Sequence, residues 1–288
     1  MNIGYIGLGK MGANMVARLN EKGHAITTFN RSGGGTVMTL AELVEVLPAP
    51  RLIWIMVTST AVDAVLEQVV PLLSPGDIII DGGNSPYTDT MRRAENLATH
   101  NLTFLDVGVS GGPGGARNGA CLMIGGEKPE YEKLESLWID LSVEKGYGYM
   151  GMHGAGHFVK MVHNGIEYGM MQAIAEGFDV MKQSPLNLQL TAITDVYNRG
   201  SVVESRLIGW LGDGYRKYGE DLKEISSTVA HTGEGAWTVE AAKSLGVPVP
   251  IIERSLQFRI DSLVHPSYTG KVLSVLRNMF GGHDAHTK

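Results

Sequence analysis

The chain has 288 residues, of which 43% are hydrophobic and 19% are charged, and its formal net charge is −6. This length predicts two domains, and the composition is typical of globular proteins rather than disordered ones. No apolar run reaches the roughly 18 residues that a membrane-spanning helix needs, and no Lys/Arg cluster indicates a nucleic-acid surface. The first residues lack a signal-peptide pattern, so we expect a cytoplasmic protein. We expect the single cysteine, Cys121, to pack as a small hydrophobic side chain.

The N-terminal segment predicts a nucleotide-binding site. Residues 2–6 have the pattern of a short strand, and residues 13–22 have helical periodicity. In a strand–GxGxxG–helix context, the first glycine permits the tight turn, the second lets a pyrophosphate approach, and the third allows close packing of the helix on the strand. The turn consists of Gly7, Leu8, Gly9, Lys10, Met11 and Gly12. It predicts a Rossmann-type dinucleotide-binding domain.

The end of the second predicted strand, residues 25–29, bears on the choice of cofactor. An acidic residue there would bind the ribose 2′-hydroxyl of NAD, but the chain instead has Asn30, Arg31 and Ser32. A guanidinium group with a neighbouring amide and hydroxyl suits a 2′-phosphate, so the sequence favours NADP over NAD. The alternative is that Arg31 is only a solvated loop cation.

Further buried strands alternate with helical patterns. The apolar runs are typical of a parallel sheet that is covered on both faces, and together with the first two strands they predict an α/β Rossmann-type doubly wound sheet. The predicted strands are residues 52–57, 77–81 and 103–107, and the predicted helices are residues 39–47, 61–73 and 87–100. Residues 33–38 are too few for the helix and strand that usually follow the second strand, so either the crossover is a glycine-rich loop or the sheet is reduced.

Small and polar residues follow three of these strands. Ligands bind outside the carboxyl ends of the strands in open α/β sheets, so we expect a nicotinamide ring and a polyol to meet there. The alternative is that these segments are only glycine-rich turns. The three segments are Val57-Thr58-Ser59, Asp81-Gly82-Gly83-Asn84-Ser85 and Val109-Ser110-Gly111-Gly112.

After residue 150, helical patterns replace the strand patterns. We therefore predict a nucleotide-binding domain over residues 1–152 and an all-α domain over residues 153–288. The helical patterns cover residues 155–183, 188–211, 222–230, 237–245, 251–262 and 269–279. The polar tail from Gly281 lacks a core-facing pattern and is expected to be solvated. Its His283, Asp284 and His286 are not expected to bind a metal.

The first of these helical segments carries an unusual polar stripe. Lys160, His163, Asn164 and Glu167 are spaced i, i+3, i+4 and i+7, which places them on one face of a helix. The flanking residues are apolar or small, so we expect the stripe to face polar groups inside the protein. A lysine and a glutamate two turns apart are either a structural ion pair or an acid/base pair, and the spacing does not decide between them.

Taken together, the motifs resemble those of the decarboxylating 6-phosphogluconate dehydrogenases of short form, within the β-hydroxyacid dehydrogenase superfamily. The resemblance covers nearly the whole chain, and the fifth motif is highly specific. In order, the motifs are GLGKMGANM, NRS, DGGNS, VSGGPGGARNG, GAGHFVKMVHNGIEYG and RNMFGGH.

The resemblance implies a reaction and a role for each residue. The reaction would be oxidative decarboxylation of 6-phosphogluconate to ribulose 5-phosphate with reduction of NADP, as in the pentose phosphate pathway and gluconate utilisation. Lys160 would be the general base and Glu167 the general acid. The implied substrate-binding residues are Asn84, Ser110, Gly111, Gly112, His163, Asn164, Tyr168, Arg259, Arg277 and His283, and Asn84 would also touch the nicotinamide. Arg259 would hold the substrate phosphate, and Arg277 and His283 would reach the neighbouring subunit's site in a homodimer.

Two departures from the family pattern remain. Thr232 and Glu234 stand where the long-form family has a lysine and a threonine near the phosphate, and a carboxylate there would repel a dianion unless it points away. The short crossover after Ser32 could weaken adenosine binding. Two alternatives therefore stay open: a β-hydroxyacid dehydrogenase acting on another polyhydroxy or phosphorylated acid, and a non-catalytic NADP-binding module.

Overall fold

The computed structural model describes residues 1–230 and 233–286. The chain divides into two compact units, Met1–Lys160 and Met161–Lys288, and the boundary falls within the helix Ala155–Gln183. Thr232, singled out above, lies outside the described residues.

The first unit is built on a seven-stranded sheet with the order β2-β1-β3-β4-β5-β6-β7. β1 to β5 run parallel, β6 is antiparallel to β5, and β7 runs parallel to β6. The strands are β1 Asn2–Ile6, β2 Ala25–Phe29, β3 Leu52–Ile55, β4 Ile78–Asp81, β5 Thr103–Ser110, β6 Ala120–Gly126 and β7 Ser142–Gly151. Every residue of β3 and β4 is buried, as expected for central strands of a doubly wound sheet.

Helices cover both faces of this sheet, which confirms the predicted fold class. Because side chains alternate across a strand, Trp54 packs with Tyr5 and Trp138 in one core, whereas Ile53 and Phe104 belong to a second core. The helices are α1 Lys10–Glu21, α2 Leu40–Glu45, α3 Ser59–Val69, α4 Tyr87–Thr99, α5 Gly112–Asn118, α6 Lys128–Lys133 and α7 Glu135–Leu141, and a 3-10 turn, Val70–Leu72, follows α3.

The short crossover after Ser32 corresponds to a reduced sheet, in which no strand of the described residues pairs with the outer side of β2. β2 is an edge strand in the described part of the chain, and α2 leads directly to β3 on the other side of β1. The loop folds back along this edge: the Thr28 amide donates to Thr36 Oγ1 at 2.8 Å, and the Val37 amide donates to the Thr28 carbonyl at 3.2 Å. These contacts satisfy polar groups that an edge strand would otherwise expose.

Two strands and three short helices of the first unit were absent from our predictions. β7 lacks an apolar strand pattern, because it contains three glycines and three of its first four residues are exposed. The prediction for Cys121 was wrong, because its side chain is exposed at the start of β6. It lies opposite Ser110 in the antiparallel pair of β5 and β6.

The second unit is helical, as predicted. It contains most of α8 Ala155–Gln183, followed by α9 Leu190–Tyr197, α10 Arg206–Tyr218, α11 Glu234–Ser244, α12 Pro250–Asp261 and α13 Tyr268–Gly281. α13 is central to its core, since Val272, Leu273, Val275 and Leu276 are all fully buried. No helix within residues 1–230 and 233–286 is both long and apolar enough to cross a membrane.

The predictions of two helices in this unit were wrong. The segment 188–211 is broken between α9 and α10, where Gly200 has a φ of 80° and its amide donates to Glu204, and Ser205 caps α10. The segment 222–230 is not helical, although its apolar residues Leu222 and Ile225 are fully buried.

The tail was expected to be solvated, and this prediction was wrong for Ala285, whereas the other described residues from Gly281 to His286 are exposed or half-buried. Ile225 forms a β-bridge with His286, and the Ser226 amide donates to the carbonyl of Ala285 at 2.8 Å. Ala285 is 2% exposed and belongs to the core of the second unit. Within residues 222–230, the backbone at Ile225 and Ser226 therefore pairs with the tail rather than forming helical hydrogen bonds.

Candidate active site

The glycine-rich turn has the geometry that a dinucleotide needs. Gly7 has a φ of 103°, and a Cβ on it would lie 2.4 Å from the carbonyl oxygen of Met56. A Cβ on Gly12 would lie 2.2 Å from the carbonyl oxygen of Gly7, so helix and strand pack closely there. Nothing lies within 4 Å of the corresponding position on Gly9, which caps α1 without a side-chain hydrogen bond. The start of α1 is thus open to an anion, as pyrophosphate binding requires.

The residues after β2 lie next to the glycine-rich turn. The Asn30 side chain accepts from the Leu8 amide at 3.3 Å and donates to Ser32 Oγ at 3.0 Å. Asn30 therefore links the glycine-rich turn to the loop that carries Arg31. The Arg31 side chain is exposed on that loop, where its charge can meet a ligand.

The β4 loop is held by a buried network. Asp81 is fully buried, and its carboxylate accepts from the Gly83 amide at 3.0 Å and from Ser85 Oγ at 2.8 Å. Arg93, which is 2% exposed, lies 3.5 Å from Asp81 and also donates to Ser85 Oγ. Asn84 sits between these anchored residues with an exposed side chain. The network therefore fixes the backbone on either side of Asn84.

The loops after β3, β4 and β5 lie at one edge of the sheet, because these strands are parallel neighbours. This arrangement confirms the placement predicted for Val57, Thr58 and Ser59, for Asn84, and for Ser110. After β5 the chain turns through Gly111 and Gly112, whose φ angles of 122° and 62° favour glycine.

The start of α8 is anchored to β5 by a residue that our sequence reasoning missed. Asp106 is fully buried, and its two carboxylate oxygens accept from the amides of Gly154 and His157, each at 2.8 Å. This carboxylate satisfies free N–H groups of the first helical turn and is stabilised by the helix dipole. The sequence offered one indication, an acidic residue in the middle of a buried strand. Thr90 Oγ1 adds a 2.7 Å hydrogen bond to His157 Nδ1.

This anchor sets the position of Lys160, one turn further along α8. Lys160 is 7% exposed. A Cβ on Gly108 of β5 would lie 2.4 Å from the Cβ of Lys160, and one on Gly156 would lie 2.4 Å from the carbonyl oxygen of Met123. Glycine at both positions therefore lets the helix lie against the sheet. Lys160 is therefore buried and closely packed against β5.

The rest of the polar stripe continues along α8 in the second unit. His163 Nδ1 lies 3.0 Å from Asn164 Oδ1 and 3.9 Å from a carboxylate oxygen of Glu167. The side chains of His163 and Glu167 are 37% and 23% exposed, so both are only partly covered. The apolar flank is less buried than expected, because Ile166 is 54% exposed. The stripe itself lies on one helix, as predicted.

Tyr168 and two arginines form a buried cluster in the second unit. The guanidinium carbon of Arg259 lies 3.3 Å from the centroid of the Tyr168 ring, and Tyr168 is 5% exposed. Arg259 and Arg277 are 2% and 7% exposed. Burial lowers the pKa of Arg259 to about 10 and also lowers the pKa of Arg277, and the carboxylates of Glu234 and Glu167 oppose this change in both residues. The guanidinium group of Arg259 is therefore still charged at neutral pH.

Glu234 lies in the first turn of α11 and is 7% exposed. α11 packs closely on α8, since a Cβ on Gly235 would lie 2.5 Å from the Tyr168 ring and one on Gly165 would lie 2.6 Å from Thr238. The carboxylate therefore belongs to the arginine cluster rather than pointing into solvent. His283 lies beyond α13 in the same unit, with its ring against Phe280. Among residues 1–230 and 233–286, no group of three or more acidic, cysteine or histidine side chains is arranged to hold a metal ion.

Comparison with known proteins identifies the family. A profile described as the NAD binding domain of 6-phosphogluconate dehydrogenase matches residues 2–143, and one described as the 6-phosphogluconate dehydrogenase C-terminal domain matches residues 156–282. The chain belongs to the 6-phosphogluconate dehydrogenase family. One relative in this family is the putative 6-phosphogluconate dehydrogenase YqeC of Bacillus subtilis, which is 43% identical and is covered over 100% of both chains.

Other members of the 6-phosphogluconate dehydrogenase family differ in cofactor or length. The NAD(+)-dependent, decarboxylating enzyme of Haloferax volcanii is 37% identical over 100% of this chain and 99% of its own length. The decarboxylating enzyme of Synechococcus elongatus is 40% identical, but the match covers 91% of this chain and 61% of that protein. The chain thus has the full length of some relatives and about three-fifths of the length of others.

Solved structures agree with the family assignment. The 6-phosphogluconate dehydrogenase of Plasmodium falciparum, described in its apo form and in complexes with NADP+ and with 6-phosphogluconate, has a TM-score of 0.82 at 31% identity. That match covers 91% of this chain and 62% of the Plasmodium chain. A 3-hydroxyisobutyrate dehydrogenase of Mycobacterium tuberculosis, at 21% identity and a TM-score of 0.75 over 96% of this chain and 99% of its own, shares the fold.

Proposed function

We propose that the protein catalyses the NADP-dependent oxidative decarboxylation of 6-phosphogluconate to ribulose 5-phosphate and CO2. Family membership supports the reaction class. The observation that carries the choice of substrate is the buried pair Arg259 and Arg277, because two desolvated guanidinium groups favour a dianion such as a phosphate monoester. Glu167 lies on α8 close enough to act on both charges. The pair and a candidate proton donor therefore belong to one cluster.

Lys160 is the proposed general base. Oxidation of the substrate's secondary alcohol requires removal of the hydroxyl proton, and a neutral lysine amine can accept it. When bound, NADP supplies the hydride acceptor. Lys160 then carries the proton as an ammonium group, which donates a hydrogen bond to the new carbonyl oxygen and stabilises the charge that develops there. Its burial and its fixed position against Gly108 suit both steps.

Glu167 is the proposed general acid for the later step. The β-keto acid loses CO2, and the electrons of the broken carbon–carbon bond form an enediol. Protonation of the carbon that lost CO2 then gives the ketone product. Glu167 follows Lys160 by two turns on the same helix, and its partly covered carboxyl group suits this proton transfer.

The remaining predicted residues bind substrate in this proposal. Asn84, Ser110, Gly111 and Gly112 offer amide, hydroxyl and backbone N–H groups at the carboxyl ends of β4 and β5, where a polyol can be hydrogen bonded. His163 and Asn164 supply further donors and acceptors from α8. Tyr168 holds Arg259 in place through its ring.

The cofactor site fits a dinucleotide, and we propose NADP rather than NAD. Gly7, Gly9 and Gly12 leave the room that a pyrophosphate needs at the start of α1. The loop after β2 offers the exposed Arg31 and the Ser32 hydroxyl to a 2′-phosphate and no carboxylate that would repel it. Leu8, Lys10 and Met11 complete the turn, and Val57, Thr58 and Ser59 follow the neighbouring strand. The Haloferax relative is named for NAD+, and a comparison of the KM values for NADP+ and NAD+ tests the proposed preference.

We also propose that the protein is a cytoplasmic homodimer. The second unit has exposed apolar side chains that a partner copy would cover, among them Val180, Ile251, Leu263 and Val264.

A substrate comparison tests the proposed function. Cofactor reduction and CO2 release are measured with 6-phosphogluconate, with gluconate, which lacks the phosphate, and with 3-hydroxyisobutyrate. The proposal expects turnover of 6-phosphogluconate with CO2 release and weak turnover of the other two acids. Oxidation without CO2 indicates a different β-hydroxyacid dehydrogenase, and absence of turnover with every acid indicates a non-catalytic NADP-binding module.

A further inference from the structure

Thr90 and His157 form a buried hydrogen bond to which the proposed function assigns no role. The two residues are 0% and 2% exposed, and Thr90 Oγ1 lies 2.7 Å from His157 Nδ1. The Thr90 hydroxyl has a single proton, which it donates to the carbonyl of Pro86 at 3.2 Å. His157 Nδ1 is therefore the donor to Thr90 Oγ1. The hydroxyl thus joins the backbone of Pro86 to a side chain of α8.

Further contacts join the beginnings of α4 and α8. The rings of Tyr87 and Phe158 meet edge to face, with their centroids 5.0 Å apart. A Cβ on Gly154 would lie 3.1 Å from the carbonyl oxygen of Tyr87, so the two segments approach closely there. The bond between Thr90 and His157 adds a directional contact to this packing, because a hydrogen bond restricts both distance and angle.

α4 is also attached to the loop that carries Asn84. Pro86, whose carbonyl accepts from Thr90, follows Asn84 by two residues. Arg93 lies one turn beyond Thr90 on the same helix face, is also buried, and donates to Ser85 Oγ at 3.0 Å. The two α4 side chains therefore hold the residues that immediately follow Asn84. A displacement of α4 would move this loop with it.

The other partner, His157, precedes Lys160 by one turn of α8. Residues spaced i and i+3 lie on the same side of a helix, so the attachment of His157 bears directly on the position of Lys160. The His157 amide is held to β5 by Asp106 at 2.8 Å, and its side chain attaches the helix to α4 in a second direction. The hydrogen bond therefore connects the loop of Asn84 to the turn that precedes Lys160.

We propose that Thr90 and His157 are positioning residues, which fix Lys160 relative to the substrate and nicotinamide groups bound at Asn84. This proposal rests on the proposed function for the roles of Lys160 and Asn84. Thr90 and His157 do not touch the ligands in it, and they act through the two backbones that they join. Misplacing a reacting group by about 1 Å costs on the order of 100-fold in rate, so we expect loss of this single bond to lower kcat by about 10-fold.

Two substitutions of Thr90 test the proposal. Thr90→Val keeps the β-branched shape and removes the hydroxyl, whereas Thr90→Ser keeps the hydroxyl. NADPH production from 6-phosphogluconate is measured, and kcat is expressed per NADPH-binding site, so that unfolded protein is not counted. We expect Thr90→Val to lower this kcat by about 10-fold and Thr90→Ser to stay within about 2-fold of the wild type. A wild-type kcat per site in Thr90→Val overturns the proposal.

A double variant separates positioning from stability. Thr90→Val alone leaves His157 Nδ1 buried without its partner, which destabilises the fold, whereas Thr90→Val/His157→Phe replaces both partners with apolar groups of similar shape. We expect the urea midpoint of the double variant to recover towards that of the wild type, while its kcat per site stays at the level of Thr90→Val. Recovery of kcat together with stability overturns the proposal. A further loss of about 10-fold in the double variant also contradicts it, because one shared bond can be lost only once.

Thr194→Val is the matched control. Thr194 is 1% exposed in α9, and its hydroxyl donates to the carbonyl of Thr191 at 2.6 Å. The control therefore removes an equally buried hydroxyl from a helix to which no catalytic role is assigned, and it should leave kcat per site unchanged. A loss of kcat equal to that of Thr90→Val would overturn the proposal. Wild-type kcat in Thr90→Val contradicts this proposal alone, whereas absence of turnover in the wild type contradicts the proposed function as well.

Discussion

Gly108 offers a direct way to move Lys160 without changing it. A Cβ at position 108 would lie 2.4 Å from the Cβ of Lys160 and 3.0 Å from the carbonyl oxygen of Gly156. Ordinary contacts begin at 3.4 Å, so the Lys160 Cβ must retreat by about 1 Å. This atom is attached to the helix backbone, so rotation of the lysine chain cannot relieve the clash. Misplacing a reacting group by about 1 Å costs on the order of 100-fold in rate, and we expect Gly108→Ala to lower kcat by about that factor.

The assay is steady-state NADPH production from 6-phosphogluconate, with NADPH binding measured separately by fluorescence. The cofactor should bind Gly108→Ala as it binds the wild type, because the glycine-rich turn is not altered. Gly177→Ala is the matched control: it lies on the same helix, and nothing lies within 4 Å of the added methyl group. It should leave kcat unchanged and stabilise the helix by up to about 1 kcal/mol. A wild-type kcat in Gly108→Ala would refute the role of α8 docking in placing Lys160.

Three further substitutions test other parts of the account. Arg31→Ala should raise the KM for NADP+ by about 10-fold or more and leave that for NAD+ unchanged, because a charge-assisted hydrogen bond is lost; equal effects on both would contradict the assigned cofactor contact. Asp106→Asn should lower the free energy of unfolding by about 1–3 kcal/mol and reduce kcat, since an amide oxygen replaces only one of two acceptors for the α8 amides; an unchanged urea midpoint would argue against this anchor. A hydrogen bond from Arg93 holds the pKa of Asp63 below its usual value. The ionised Asp63 therefore stabilises the folded protein above its unfolded-state pKa of about 4, and this stabilisation disappears as the pH falls through its folded-state pKa. Asp63→Asn should therefore destabilise the protein at pH 7, and the destabilisation should shrink as the pH is lowered below about 4. Equal urea midpoint shifts at neutral and acidic pH would exclude this linkage.

The parallel part of the sheet could be predicted because its sequence pattern is local. β1 to β5 are short apolar runs bounded by turns, and each was placed to within a few residues. β7 was missed because its pairing, not its composition, makes it a strand: it contains three glycines and several exposed residues. β6 has a short buried apolar run that the prediction overlooked. Residues 222–230 show the opposite failure. Their apolar spacing fits a helix, but the Ser226 amide binds the carbonyl of Ala285 in the tail, and a local pattern cannot show such a distant partner.

The candidate site divides in the same way. The glycine-rich turn and the stripe from Lys160 to Glu167 lie within single elements, so spacing alone could place their residues on a common face. The Asp106 anchor joins β5 to α8, and the arginine cluster joins three helices, so only the folded chain brings these groups together. The family resemblance named Arg259 and Arg277, and the fold brings both of them to Tyr168.

The central claim is that one enzyme couples oxidation to loss of CO2 through Lys160. The most direct test measures NADPH and labelled CO2 together, using 6-phosphogluconate labelled at carbon 1, for the wild type and Lys160→Ala. The account predicts equal amounts of NADPH and CO2 from the wild type and a loss of kcat on the order of 1,000-fold in the variant, which should still bind NADPH. NADPH formation without CO2 in the wild type, or wild-type turnover in Lys160→Ala, would contradict it.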